Sequence, residues 1–165
     1  MGRIFSITGN FMQYGQWSEP DPSFSGKIVV NEEDEFYGIC EELYRSSMSD
    51  INRTRYIAGA FAKNDRNGWQ GIAFYKMSND PVQAPLMYFT PDLTNSESGT
   101  WAALSIFGYF QEQGRSKIIV KEEAYSKEVE DNIKAEYDAL NKDINGNNEL
   151  LEQIHCCKDM IIHAR

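Results

Sequence analysis

In 165 residues this chain carries three cysteines, two histidines and five prolines, and bases number 16 against 25 acids. Each shortage excludes something. Cys40, Cys156 and Cys157 form an odd, sparse set, which is no disulfide framework, and vicinal Cys156 and Cys157 cannot bridge each other without strain. They read as reduced thiols, which predicts a cytoplasmic protein. With only His155 and His163 available, any histidine-based triad has to use the C-terminal segment, and no Gly-x-Ser-x-Gly elbow supplies a nucleophile. Glycine-rich phosphate loops of the Walker or dinucleotide type are missing. No apolar run approaches the length of a transmembrane helix. The stretch Ile4–Ile7 is cut by Thr8-Gly9-Asn10 too early for a signal peptide. A net charge of −9 lacks the basic footprint that nucleic acid requires and gives no attraction to anionic lipid. Expected partners therefore include neither nucleic acid nor membrane.

What is abundant is aromatic: 13% of residues are Phe, Trp or Tyr, too many for a disordered acidic chain. The length suits one domain, residues 1–165, able to bury about 70% of its surface. Charge is uneven. Residues 1–53 hold nine acids and four bases (−5), residues 54–125 seven of each (zero), and residues 126–165 nine and five (−4). The apolar centre is neutral and the flanks are acidic.

Residues 1–125 read as strands. Arg3–Thr8 comes first. Phe24–Asn31 and Glu35–Tyr44 flank an acidic turn. Thr54–Asn64 and Trp69–Ser78 flank Asp65-Arg66-Asn67-Gly68, where Asn-Gly supplies the positive-φ residues of a hairpin turn. Leu86–Thr90 is short. Thr100–Phe110 and Arg115–Glu123 predict a last hairpin turning at Gln111–Gly114. About eight antiparallel strands suit a barrel. The central strands are apolar on both faces. One face mixes small residues with rings (Tyr56, Ala58, Ala60, Trp69, Ala73, Tyr75, Trp101, Phe107, Tyr109). The other is aliphatic and Phe-rich (Ile57, Phe61, Ile72, Phe74, Leu104, Ile106).

From residue 126 the period changes. Ser126 is a good N-cap, and Val129, Ile133, Tyr137, Leu140 and Ile144 recur at helical spacing. Asn145-Gly146-Asn147 breaks the helix. Leu150, Leu151, Ile154, Cys157, Met160, Ile161 and Ile162 then form the apolar arc of a second helix. The fold class is mainly β (α+β): an antiparallel barrel of about eight strands over 1–125, followed by a C-terminal helical hairpin over 126–165. The hairpin is expected to cover the aliphatic face, leaving the ring-and-small face to line the interior.

That face is the leading candidate site. Tyr56, Trp69, Tyr75, Trp101, Phe107 and Tyr109, interleaved with Ala, Gly and Ser, are expected to bind a small, partly apolar ligand. Gly15-Gln16-Trp17, the strand count and the C-terminal helix resemble the lipocalin or wider calycin family. The resemblance implies an up-and-down barrel holding a small hydrophobic molecule in its lumen. The reading is non-enzymatic binding, with no catalytic residue, metal or cofactor assigned. A filled barrel acting as a structural or interaction module is the alternative, dimeric through Cys156 or a strand edge.

Three other constellations stand out in the sequence. Asp143, Asn145 and Asn147 sit like the start of an EF-hand loop, but Asn148 replaces its glycine and Ile154 its bidentate glutamate. Cys156, Asp159 and His163 share a helix face with zinc-like chemistry, but one helix does not complete four ligands. The carboxylates Glu32, Glu33, Asp34, Glu35, Glu41 and Glu42 would serve a hydrolase if two faced each other across a cleft.

Overall fold

The structure, a computed structural model, describes residues 2–13, 15–18, 22–45, 50–77, 86–95, 99–104, 110–143 and 147–164. Nine strands are formed: β1 (Arg3–Gln13), β2 (Gln16–Trp17), β3 (Phe24–Val30), β4 (Glu35–Arg45), β5 (Asp50–Asn64), β6 (Trp69–Met77), β7 (Leu86–Thr90), β8 (Gly99–Leu104) and β9 (Phe110–Glu123). Helices α1 (Lys127–Asp143) and α2 (Asn147–His163) follow. Two-residue β2 folds back on the end of β1; β1 pairs antiparallel with β3, each later strand pairs antiparallel with the next, and β9 returns to β1. The result is a closed eight-stranded up-and-down barrel. Closure through the β1–β9 ladder, which runs from Ile4↔Glu123 to Phe11↔Ser116, removes the open edges a linear sheet would expose.

Local signals explain most elements. Gly68 takes φ 72° in the β5–β6 turn, as Asn67-Gly68 predicts, and Trp69 N–H donates to Asn67 Oδ1 at 2.8 Å. Ser126 caps α1: its Oγ accepts from Val129 N–H at 3.4 Å and its carbonyl from Glu130 N–H at 3.1 Å. One turn is misplaced by the sequence. Gln111–Gly114 belongs to β9, and the β8–β9 connection falls at 105–109, outside the described residues. Gly114 is there for packing. A Cβ on it would lie 2.2 Å from Met12 O and 2.7 Å from Trp101 Nε1, so glycine makes the space in which Trp101 Nε1 donates to Met12 O at 3.0 Å.

The interior is a packed cluster that includes Ile7, Ile28, Phe36, Ile57, Ile72, Phe74, Tyr88, Trp101 and Ile118. The outer cluster contains Ala60, Ala73 and Met87, with Cys157 and Ile161 of α2, and Ala62 and Tyr75 pack against it. The expected assignment of faces is therefore reversed on β5 and β6. The aliphatic, Phe-rich face fills the barrel, and the small-residue face carries α2. The reason is volume. An eight-stranded barrel is just wide enough to be filled by large side chains, whereas a helix settles closely on a wall only where that wall is small. Gly71 shows the second half: a Cβ there would stand 2.7 Å from Ile161 Cγ2.

Helix α1 runs along β3 and β4, where the Tyr137 ring meets Tyr37 at 5.0 Å. Helix α2 runs across β5 and β6. Of its expected apolar arc, Cys157 and Ile161 are buried, but Ile162 is exposed. The anchor of α2 is Asn64, fully buried at the end of β5. Its Nδ2 donates to Ile161 O at 3.0 Å and Ala164 O at 2.7 Å, and its Oδ1 accepts from Arg66 N–H at 3.0 Å. One side chain thus closes the hairpin turn and satisfies carbonyls at the helix end. Replacing it by Ala orphans buried carbonyls, so Asn64→Ala is expected to cost about 2–4 kcal/mol in urea unfolding. Asn64→Asp is expected to cost more, because it sets oxygens against oxygens. An Asp variant as stable as wild type would contradict this account.

Candidate functional site

The described turns 31–34 and 65–68 and the loop 91–95 gather at one end of the barrel, where β3 and β5 finish and β4 and β6 begin. Asn31 organises the first turn: its Oδ1 accepts from Glu33 N–H at 2.9 Å and Glu35 N–H at 3.0 Å. This loop is an Asx arrangement in place of a glycine turn. Asp34 closes it with φ 60°, a conformation that Asp tolerates better than most residues. Its carbonyl accepts from Phe61 N–H at 2.9 Å, tying the turn across to β5. Its carboxylate pairs with Arg3 Nη2 at 2.9 Å, and the same Nη2 donates to Asn31 O at 3.1 Å. The Arg3 guanidinium in turn stands 5.5 Å from the centroid of Phe5.

The opposite lip is the loop after β7. Asp92 Oδ1 accepts from Thr94 N–H at 2.9 Å and Thr94 Oγ1 at 2.7 Å. These two bonds hold the Asp92 carboxyl below its ordinary value. Leu93 is suspended between two strands: its N–H donates to Gln70 Oε1 at 2.8 Å and its carbonyl accepts from Val120 N–H at 2.8 Å. Its side chain joins the interior cluster as a plug.

Between the lips lies an open pocket of about 220 Å³. Phe5, Phe61, Leu93 and Val120 form its apolar part, and Asp34, Lys63, Gln70 and Thr94 its polar rim. The Phe61 ring is fixed against Phe36 at 5.0 Å and Phe5 at 6.2 Å. A cavity of about 150 Å³ takes a benzene ring, and drug-sized ligands fill roughly 300 Å³ or more. This pocket therefore fits one ring or a short branched chain with a small substituent.

Of the sequence-derived ring residues, the described ones, Tyr56, Trp69, Tyr75 and Trp101, do not line it. Trp101 is buried in the interior cluster, its ring 5.3 Å from Phe11. Tyr75 packs on the outer cluster under α2. Half-buried Tyr56 and Trp69 alternate with the inward residues Ile57 and Ile72, on the same outward row as Ala58 and Tyr75. Phe107 and Tyr109 lie outside the described residues. The structure thus separates Trp101 from Tyr56, Trp69 and Tyr75. The lining residues carried no signal of their own in the sequence. Phe5, Phe61 and Val120 read as strand interior, and Leu93 as loop.

The carboxylate set is likewise dispersed. Glu35 and Glu42 are the two buried members, at 9% and 4% exposure. Seven strand positions part them by about 23 Å and put them on opposite faces, beyond the separation at which two carboxyls share a glycosidic bond. Glu35 faces outward, where its Oε2 meets His155 Nδ1 of α2 at 2.6 Å. Beside it Lys158 Nζ donates to the Glu33 carbonyl. Glu42 faces inward, opposite Arg53 in the β4–β5 ladder. His155 is therefore a strap between helix and barrel. Among the described residues no group of three or more His, Cys, Asp or Glu side chains could hold a metal. The Asn145 turn lies outside the described residues.

Comparison with protein-family models, with curated proteins and with solved structures returns no match. The fold defines a closed antiparallel barrel of calycin-like architecture. No described helix is long and apolar enough to cross a membrane.

The cysteines form no disulfide, and they differ sharply in exposure. Burial between α2 and the barrel wall pushes the Cys157 thiol up to about 12, and burial with the neighbouring Cys157 takes the Tyr75 hydroxyl to about 12. At pH 8 such a thiol stays protonated and therefore unreactive. One fast-reacting thiol per chain, Cys156, is therefore expected with an alkylating reagent at pH 8, and Cys157 only after unfolding. Fast labelling of Cys157 in the folded chain would contradict the seat. The linkage has a definite sign. The unfolded chain ionises these groups from ordinary values of 9.0 and 10.0, the folded chain only near 12. Stability present below pH 9 is lost as the pH climbs from 9 to 12, and Cys157→Ala should flatten that decline.

Proposed function

We propose that the protein is a non-enzymatic binder of a small, partly apolar molecule, and that the seat is the pocket at the barrel end. The observation that carries this reading is the pocket itself, about 220 Å³ with an apolar floor of Phe5, Phe61, Leu93 and Val120. The floor lies on backbone already fixed by the Asp34–Phe61 and Leu93–Val120 hydrogen bonds. Binding in a lipocalin-like barrel fits this reading with one change of place. Phe36, Phe74, Ile28, Ile57 and Ile72, each 2% exposed or less, fill the described centre. That same filling favours the second reading, a barrel acting as an interaction module without a ligand. A cytoplasmic location belongs to the proposal and is supported by three cysteines without a disulfide.

Methyl-labelled NMR with one-ring fragments separates the two. A ligand of this size should bind with a Kd of about 0.1–1 mM and shift the methyls of Leu93, Val120 and Ala62. Thr94→Trp, on the exposed lip, should weaken binding at least tenfold while leaving the remaining spectrum intact. Fragments that leave these methyls unmoved, or that bind the Trp variant equally well, would leave the filled-barrel reading standing.

A further inference from the structure

We infer that the pocket selects an organic monoanion, a carboxylate carried on one ring or a short branched chain, with Lys63 as its counter-charge; this rests on the pocket reading above. Two charged side chains line the cavity, Asp34 and Lys63. Asp34 lines it and is held by Arg3, whose Nη2 lies 2.9 Å from Asp34 Oδ1. Those two cancel, and Arg3 is further committed to the Asn31 carbonyl and the Phe5 ring. Lys63 is different. Among the described residues it makes no hydrogen bond or ion pair, and it lines the pocket from the end of β5, two positions after Phe61.

Its ladder partner is Gln70. The Gln70 Oε1 is already taken by Leu93 N–H at 2.8 Å, which leaves its amide N–H groups as uncommitted donors. Thr94 Oγ1 is tied to Asp92. Thr94 thereby spends its hydroxyl hydrogen on Asp92, so the rim's spare donors are the Lys63 ammonium and the Gln70 amide, which is the polarity an anion requires. The apolar floor excludes a bare inorganic anion, whose desolvation against phenyl rings would have no compensation. Asp92, the acid on the lip beside Leu93, has its Oδ1 engaged by Thr94, and neither it nor Glu33, Glu35, Asp65 or Glu122 lines the cavity.

The test uses the full chain and three probes of equal shape: 3-phenylpropionate, 3-phenylpropanamide and 3-phenylpropylamine. NMR titration on wild type should show the carboxylate binding about fivefold more tightly than the amide, and the amine most weakly. Lys63→Gln should remove that preference by weakening the carboxylate, and Lys63→Arg should retain it. Both changes sit at an exposed strand end, and an unchanged methyl spectrum away from the pocket certifies the fold. Equal binding of carboxylate and amide in wild type, or a preference for the amine through Asp34, would overturn the anion inference and leave the pocket reading intact. Failure of all three probes to shift the Leu93 and Val120 methyls would defeat the pocket reading itself.

Discussion

The width of an eight-stranded barrel governs the rest of this structure. Such a barrel leaves a core that large side chains fill without remainder, and close packing tolerates few voids. Inward positions on β3 to β6 accordingly hold Ile28, Phe36, Ile57, Ile72 and Phe74. Where two strands crowd, side chains give way altogether: a Cβ on Gly59 would stand 2.0 Å from Ala73 O. With bulk committed to the interior, Ala60, Gly71 and Ala73 are left for the outer wall, and α2 descends onto them. The helix position is thus a consequence of how the barrel is filled, and room for a ligand falls at an end of the cylinder.

The end that offers this room is also heavily braced. Asn64 binds α2 to the β5–β6 turn. His155 and Lys158 strap the same helix to the β3–β4 hairpin through Glu35 and the Glu33 carbonyl. Asp34 and Leu93 reach across to β5 and β9 by backbone bonds. Exposed contacts such as Arg3–Asp34 contribute little stability singly, but here they fix the walls of a small site. A ligand with only about ten heavy atoms has little free energy to spend on ordering a loop, so a site for it has to be built in advance.

Architecture was legible in the sequence because it rests on local, periodic signals. Asn67-Gly68 fixed a turn, Ser126 a helix start, and Leu86–Thr90 a strand between prolines, and all three stand. Orientation was less legible. A strand apolar on both faces has no wet side to define the inside, so Ile57 and Ala58 could be ordered only by knowing that the barrel needs volume. Gly114 misled for a related reason: a glycine required by the tryptophan ring of its partner on the neighbouring strand looks like a turn. The pocket was invisible. It is assembled from Phe5, Phe61, Leu93 and Val120, which lie far apart in the chain and are joined by ladder register and by one loop folding back through Gln70. Trp101 drew attention as a ring among small residues, but its indole hydrogen-bonds a strand carbonyl and closes the wall.

The opening charge balance bears on the site in two opposed ways. A net charge of −9 repels an approaching anion, but at 0.1 M salt that field is screened beyond roughly 10 Å. In the proposed site the Lys63 ammonium would act inside that radius, over a floor of phenyl and aliphatic groups where contacts at close range survive screening better. Added salt should therefore speed the approach of an anion by shielding the acidic flanks, and at the same time weaken its hold on Lys63. Distance separates the two effects. In the proposed site the global charge would set how often an anion arrives, and the Lys63 ammonium which of the arriving molecules remain.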